Sequence, residues 1–304
     1  MDLVKQQLSE KKPSLSESSL VSYASTICNL YKKINNKDYK VHQDEILDFF
    51  NNEYNEVLDF LKEKPYSSRK TILASLISFC DNEDAIEEYR KHMKKDIQQY
   101  NEFIGTHKLT EKQSENWVNV SEMNEKLKEL QKQANFVYSK TSKITPKDIQ
   151  NVQDYVILSL YLKNDPRRLM DYVNMKFRNF NPETDNYMTT LRFVFNKYKT
   201  KKSYGKQSID ISNPLKLVLK KWIKFINENN YDGDHLLFNI EFKPLTPTTL
   251  NNRINKIFGK NVGVNIIRHA RISEELGPEY KKLQEKAKRY GHDMSMQSDY
   301  IKNV

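Results

Sequence analysis

Apolar residues recur every three or four positions through the first hundred residues, and no glycine interrupts them before Gly105. That period marks helices with one buried face. Leu20, Tyr23, Ile27, Leu30 and Tyr31 form one such stripe, which predicts a helix over 17–33 capped by Ser16. Further helices are predicted over 43–51, 55–62, 68–80 and 83–103, making residues 1–104 a helical bundle. Residues 105–116 (GTHKLTEKQSEN) are polar, aperiodic and contain the first glycine, so they read as a linker. Beyond it, helices over 120–139 and 146–163 precede three runs of strand character, YVNMKFRNF, TTLRFVFNKY and KQSIDIS. The basic KTKKSYG between the last two reads as a hairpin turn. Helices resume over 214–227, 248–258, 264–276 and 278–290, with Gly277-Pro278 as the stop between the last pair. A short helix near 294–302 follows. The predicted fold is mainly α (α+β): the bundle, then an α-rich domain over 117–304 with a small three-stranded antiparallel sheet.

Composition narrows the class. The chain has 304 residues, 38% of them hydrophobic, and its 18 Tyr and 14 Phe can fill two cores. Cys28 and Cys80 lie in apolar helical patterns with no metal-ligand spacing, which predicts buried free thiols in a reducing compartment. The segment MDLVKQQLSEKK lacks the apolar centre of a signal peptide, and the apolar run at 156–162 is too short to span a bilayer. A soluble, intracellular protein is expected.

Charge is unevenly placed. Residues 1–108 hold 16 Lys+Arg and 18 Asp+Glu, so 34 and 22 fall in residues 109–304. The whole excess of +10, and more, therefore belongs to the second part. A field of that sign attracts polyanions, DNA or RNA first among them. A lysine-rich protein with no such partner has the same composition.

Four local features carry candidate chemistry. In LKNDPRRLMDYVNM, Asp165 fits an N-cap and Pro166 the first helical position, placing Arg167 and Arg168 in the first turn. Such a pair either binds a phosphodiester or bridges to Asp171 on the surface. In NKYKTKKSYGKQ, Lys197, Lys199, Lys201, Lys202 and Lys206 crowd the hairpin. They form either a solvated tip or a group that meets a nucleic-acid backbone. NIIRHARISEELGP carries Arg268, His269 and Arg271 on a helix, and RYGHDMSMQSDYIKNV places Gly291-His292 eight residues before Tyr300. There is no glycine-rich phosphate loop, no HExxH and no ligand spacing among the six histidines, so neither metal nor nucleotide cofactor is expected.

Taken in order, these features resemble the catalytic domain of the tyrosine recombinases, the lambda-integrase family. That pattern is an arginine with an acid three residues on, a hairpin lysine, HxxRH, then LGH and a tyrosine eight or nine residues later. Arg168 with Asp171, Lys199 followed by Thr200, Arg268-His269, Gly291-His292 and Tyr300 match it in sequence. Asn265 stands where the family has the histidine of HxxR, replacing a titratable group by a neutral amide. Residues 1–104 resemble the family's core-binding domain. The resemblance implies an integrase-like fold closing on double-stranded DNA as a clamp, and a 3′-phosphotyrosyl intermediate made without ATP or metal. It also implies a homotetramer on DNA built from free monomers. Arg168 and Arg268 would clamp the non-bridging oxygens, Lys199 would protonate the leaving 5′ oxygen, and Tyr300 would attack. His292 and His269 would bond the phosphate or assist the tyrosine's proton transfer, and Asn265 would complete the catalytic set as a hydrogen-bonding amide. Arg69, Lys70, Lys197, Lys201, Lys202, Lys206 and Arg271 are candidates to grip the DNA backbone. Only four residues follow Tyr300, so attack within one subunit is expected. Alternatives within the same reading are a type IB topoisomerase and a DNA-binding protein that has lost turnover. The AT-rich residue bias hints at a virus or mobile element.

Overall fold

The computed structural model describes residues 1–294 and 296, which divide into two units, Met1–Leu109 and the described residues from Thr110 onward. In the first, a helix not anticipated from sequence, α1 (Asp2–Lys11), buries Val4 and Leu8. Ser16 then accepts the Ser19 N–H and opens α2 (Glu17–Asn35), whose Leu20, Ile27, Leu30 and Tyr31 are buried as the stripe predicts. The helices α3 (Glu45–Asn52), α4 (Tyr54–Lys62), α5 (Tyr66–Phe79) and α6 (Glu83–Gly105) complete the bundle. Their core includes Phe50, Leu61, Leu73, Leu76, Phe79 and Tyr89. Cys28 and Cys80 are buried and free, and burial pushes the Cys80 thiol up to about 12, leaving it unreactive.

The second unit begins inside the expected linker. Thr110 and Gln113 form a capping box that opens α7 (Glu111–Asn116), and Asn116 accepts the Asn261 N–H at 3.0 Å. Residues 111–116 are thus helical and part of this unit, a correction to the aperiodic reading. Next come α8 (Val120–Tyr138) and α9 (Pro146–Leu162), each opened by a capping box. Tyr155 to Leu162 of α9 are buried without a break, because neighbours cover every face. A five-residue helix, α10 (Leu169–Val173), leads into a sheet of β1 (Met175–Lys176), β2 (Asn186–Met188), β3 (Arg192–Phe195) and β4 (Gln207–Asp210). The sheet has four strands in the order β1-β2-β3-β4. It is mixed, since β1 runs parallel to β2 while the other pairs are antiparallel. NPETDNY, which lies between the first two predicted strand runs, supplies Asn186 and Tyr187 of β2. The hairpin tip holds a single helical turn, α11 (Lys201–Tyr204).

The remaining helices are α12 (Asn213–Glu228), α13 (Pro247–Phe258) and α14 (Gly263–Tyr290). Trp222 of α12 stacks on Phe238 with centroids 5.6 Å apart and donates to the Leu236 carbonyl at 3.0 Å. Buried Gln153 of α9 pairs with both backbone groups of Phe238 at 2.8 and 2.9 Å, satisfying a loop that crosses the core. The two helices expected on either side of Gly277-Pro278 are one 28-residue helix, with Pro278 inside it. Strong helix formers flank the proline on both sides, and together they outweigh one lost hydrogen bond. The helix expected near 294–302 lies outside the described residues, apart from its first positions. Among those described, no helix is long and apolar enough to cross a membrane.

Residues 106–110, between α6 and α7, are exposed. Brief trypsin treatment is expected to cut first at Lys108, leaving two folded fragments near 12 and 23 kDa (at ~110–115 Da per residue, by the 1–108 and 109–304 division). A first cut within α8 or α9 would contradict this division.

Candidate active site

The arginine loop departs from its expected form in an informative way. Arg168, not Asp165, is the residue before the helix, with extended backbone at φ −69° and ψ 155°. The reason is tertiary. The Pro166 carbonyl, which a helix begun at Asp165 would have used internally, accepts the Arg268 Nε–H at 3.1 Å instead. Positions 102 residues apart in sequence are thereby tied together.

Arg167 turns inward. Its Nε donates to Asp171 Oδ2 at 2.9 Å and its Nη1 to Gln207 Oε1 at 2.9 Å. The guanidinium carbon lies 4.4 Å from the Phe195 ring centre and 5.2 Å from that of Tyr198. Asp171 is 1% exposed, and burial pushes its carboxyl above the ordinary range against the pull of Arg167 and Arg168. Of the two sequence alternatives, the bridge to Asp171 is thus realised by Arg167. Arg168 is half-buried and makes no side-chain hydrogen bond or ion pair among the described residues. Arg268 is half-buried as well. Burial first, and the Arg168 guanidinium second, lower its pKa, with Asp171 opposing and Arg167 adding to the lowering. The two guanidiniums repel each other with Asp171 only partly opposing, an arrangement that a bound anion would relieve.

The other expected residues scatter more widely. Asn265 and His269 are exposed on α14, while Arg271 is half-buried with its Nε unpartnered. The N-terminus of α14 is fixed by α13: Asn255 accepts the Gly263 N–H at 3.1 Å and Asn251 the Val264 N–H at 3.3 Å. In the hairpin, Lys197 faces Asp185 at 3.6 Å, and Lys206 faces Glu183 at 3.7 Å and donates to the Pro182 carbonyl. Lys199, Lys201 and Lys202 are exposed. In the first unit, Arg69 grips buried Asp96 through Nε at 2.8 Å and through Nη2, so its charge joins α5 to α6. Lys70 lies over the Tyr100 ring.

Gly291-His292 closes α14. Gly291 adopts φ 79°, a left-handed conformation that suits glycine, and the N–H groups of Gly291 and His292 return to Lys288 and Ala287. His292 is not brought to the arginines. Between Arg268 and Tyr290 the helix rises roughly 33 Å. Tyr300 lies outside the described residues.

Residues not singled out from sequence matter here: Gln207 and Tyr198 as partners of the inward-turned Arg167, and Asn186. Fully buried Asn186 donates to the Lys197 carbonyl at 2.8 Å and accepts the N–H groups of Asn196 and Lys197 at 2.9 and 2.7 Å. Its signal was a polar residue beginning an apolar strand.

No family model and no curated protein matches the chain. Among solved structures, the crystal structure of XerA recombinase is similar over 88% of this chain and 81% of that one, at 13% identity and a TM-score of 0.34. So loose a superposition assigns no family and transfers no residue's role.

Asp171→Asn should lower the unfolding free energy by about 3 kcal/mol, because Arg167 would keep its buried position without its counter-charge. Urea titration with an unchanged m-value checks this. A loss below about 1 kcal/mol would mean that Asp171 does not hold the loop.

Proposed function

We propose that this chain breaks and rejoins DNA strands through Tyr300, as a site-specific recombinase. The observation that carries the reading is that Arg268 bonds the Pro166 carbonyl, two residues before Arg168, and feels the Arg168 charge, both being half-buried and neither bound to a carboxylate among the described residues. Two such guanidiniums suit the two non-bridging oxygens of a phosphodiester, whose charge grows in the transition state. The Tyr300 phenolic oxygen attacks phosphorus and gives up its proton to water. The P–O5′ bond breaks, and Lys199 supplies a proton to the leaving oxygen. The covalent phosphotyrosyl bond keeps the energy of the one broken, so the 5′-hydroxyl of either strand can reverse the step. Double-stranded DNA is the substrate, and exposed Lys201 and Lys202, with half-buried Lys70, would meet its backbone. A tetramer exchanging strands between two sites completes the reading.

One placement favours a second reading. A single helix separates Arg268 from Gly291-His292, so the two act together only if α14 bends at Gly277-Pro278 or a second copy supplies His292 and Tyr300. A chain that does neither is a DNA-binding protein without turnover.

A nicked suicide substrate separates these cases. The wild-type protein should form a covalent adduct that maps to Tyr300, and Tyr300→Phe should bind DNA without forming one. Arg168→Ala or Arg268→Ala should cut the adduct rate by at least about 10²-fold while keeping most of the DNA affinity. Retention without any adduct would establish the binder, and relaxation without joining of two DNAs would establish a topoisomerase. Mixing Tyr300→Phe with Arg268→Ala restores adduct only if subunits share the site, which would overturn the expectation of attack within one subunit.

A further inference from the structure

We propose that Arg167 is a positioning residue that holds the lysine loop, and Lys199 with it, in register with the Arg168 phosphate site; this rests on Lys199 being the acid of the reaction proposed above. Arg167 is adjacent to Arg168, yet its guanidinium is taken up by Asp171 and by the hairpin, with its buried Nη2 unbonded among the described residues. Three contacts reach the hairpin. Nη1 bonds Gln207, and the plane of the group packs on Phe195 and Tyr198. Phe195 and Gln207 are opposite one another in the last rung of the β3–β4 ladder, so Arg167 spans both strands where the loop leaves them. Tyr198, next to Lys199, closes the loop by donating its hydroxyl to the Gly205 carbonyl at 2.7 Å. The guanidinium is fixed from behind by the buried Asp171.

These contacts make a rigid route from one candidate catalytic group to the other. Arg168 follows Arg167 directly in the chain, and Lys199 follows Tyr198. A planar, multiply bonded guanidinium transmits position in a way a flexible ammonium does not. Lysine at 167 would keep the charge facing Asp171 but lose both ring packing and the Gln207 bond.

Two measurements test this. Arg167→Lys should slow adduct formation on an ordinary suicide substrate by roughly 10- to 100-fold. A 5′-phosphorothiolate, whose thiolate leaves without a proton, should restore the rate to within about threefold of wild type. Gln207→Met, which leaves the Arg167–Asp171 pair intact, should show the same split more weakly. Equal losses on both substrates, or no loss, would overturn the proposal. Independently of any chemistry, hydrogen–deuterium exchange across 198–205 should rise in Arg167→Lys while α8 and α9 stay protected; an unchanged loop would also overturn it. If the wild-type protein forms no adduct on either substrate, the recombinase reading fails, whereas the exchange result still decides whether Arg167 holds the loop.

Discussion

A carboxylate as deeply buried as Asp171 is tolerated only with a cation against it, and Arg167 provides that cation at 2.9 Å. Much of the geometry of the second unit follows from this one pair. Holding Asp171 turns Arg167 inward, whereas the Arg168 side chain makes no hydrogen bond or ion pair among the described residues. With the helix delayed to Leu169, the Pro166 carbonyl is left for Arg268. The tripeptide 166–168 therefore meets two parts of the structure at once, α14 through Pro166 and the hairpin through Arg167, with Arg168 half-buried beside them.

The surrounding core keeps this tripeptide in place. Tyr172, one residue past Asp171, is fully buried against Tyr161, Phe193 and Phe195, with its hydroxyl on the Leu160 carbonyl at 3.2 Å. Aromatic packing of this kind joins α9, α10 and β3 into one rigid base. Buried Asn186 then anchors the strand end from which the lysine loop departs. Packing thus fixes the backbone that carries Arg167 and Arg168.

How much of this was legible in the sequence depended on range. The long helices were, because a stripe such as Leu20–Tyr31 repeats over several turns and caps such as Ser16 and Thr145 are local. Strands of two and three residues, β1 and β2, are too short to display a period, so Asn186–Met188 read as a loop. The start of α10 was misplaced because Asp-Pro is a sound local N-cap, and only the distant Arg268 displaces it. The Gly277-Pro278 stop failed for the opposite reason: a strong breaker was outvoted by good helix formers on both sides. In the site, residue types pointed to Arg168 and Arg268, yet nothing local distinguished the inward-turned Arg167 from Arg168. That distinction comes from Asp171, Gln207 and Tyr198 meeting in space.

The central claim is that Arg168 and Arg268 form one anion site and not two independent contacts. A double-mutant cycle on single-turnover adduct formation tests it most directly. Each alanine variant alone should lose most of the rate, and the double variant should be little worse than the poorer single, giving a coupling energy above about 1 kcal/mol. Additive losses, with the double variant slowed by the product of the two, would contradict the account.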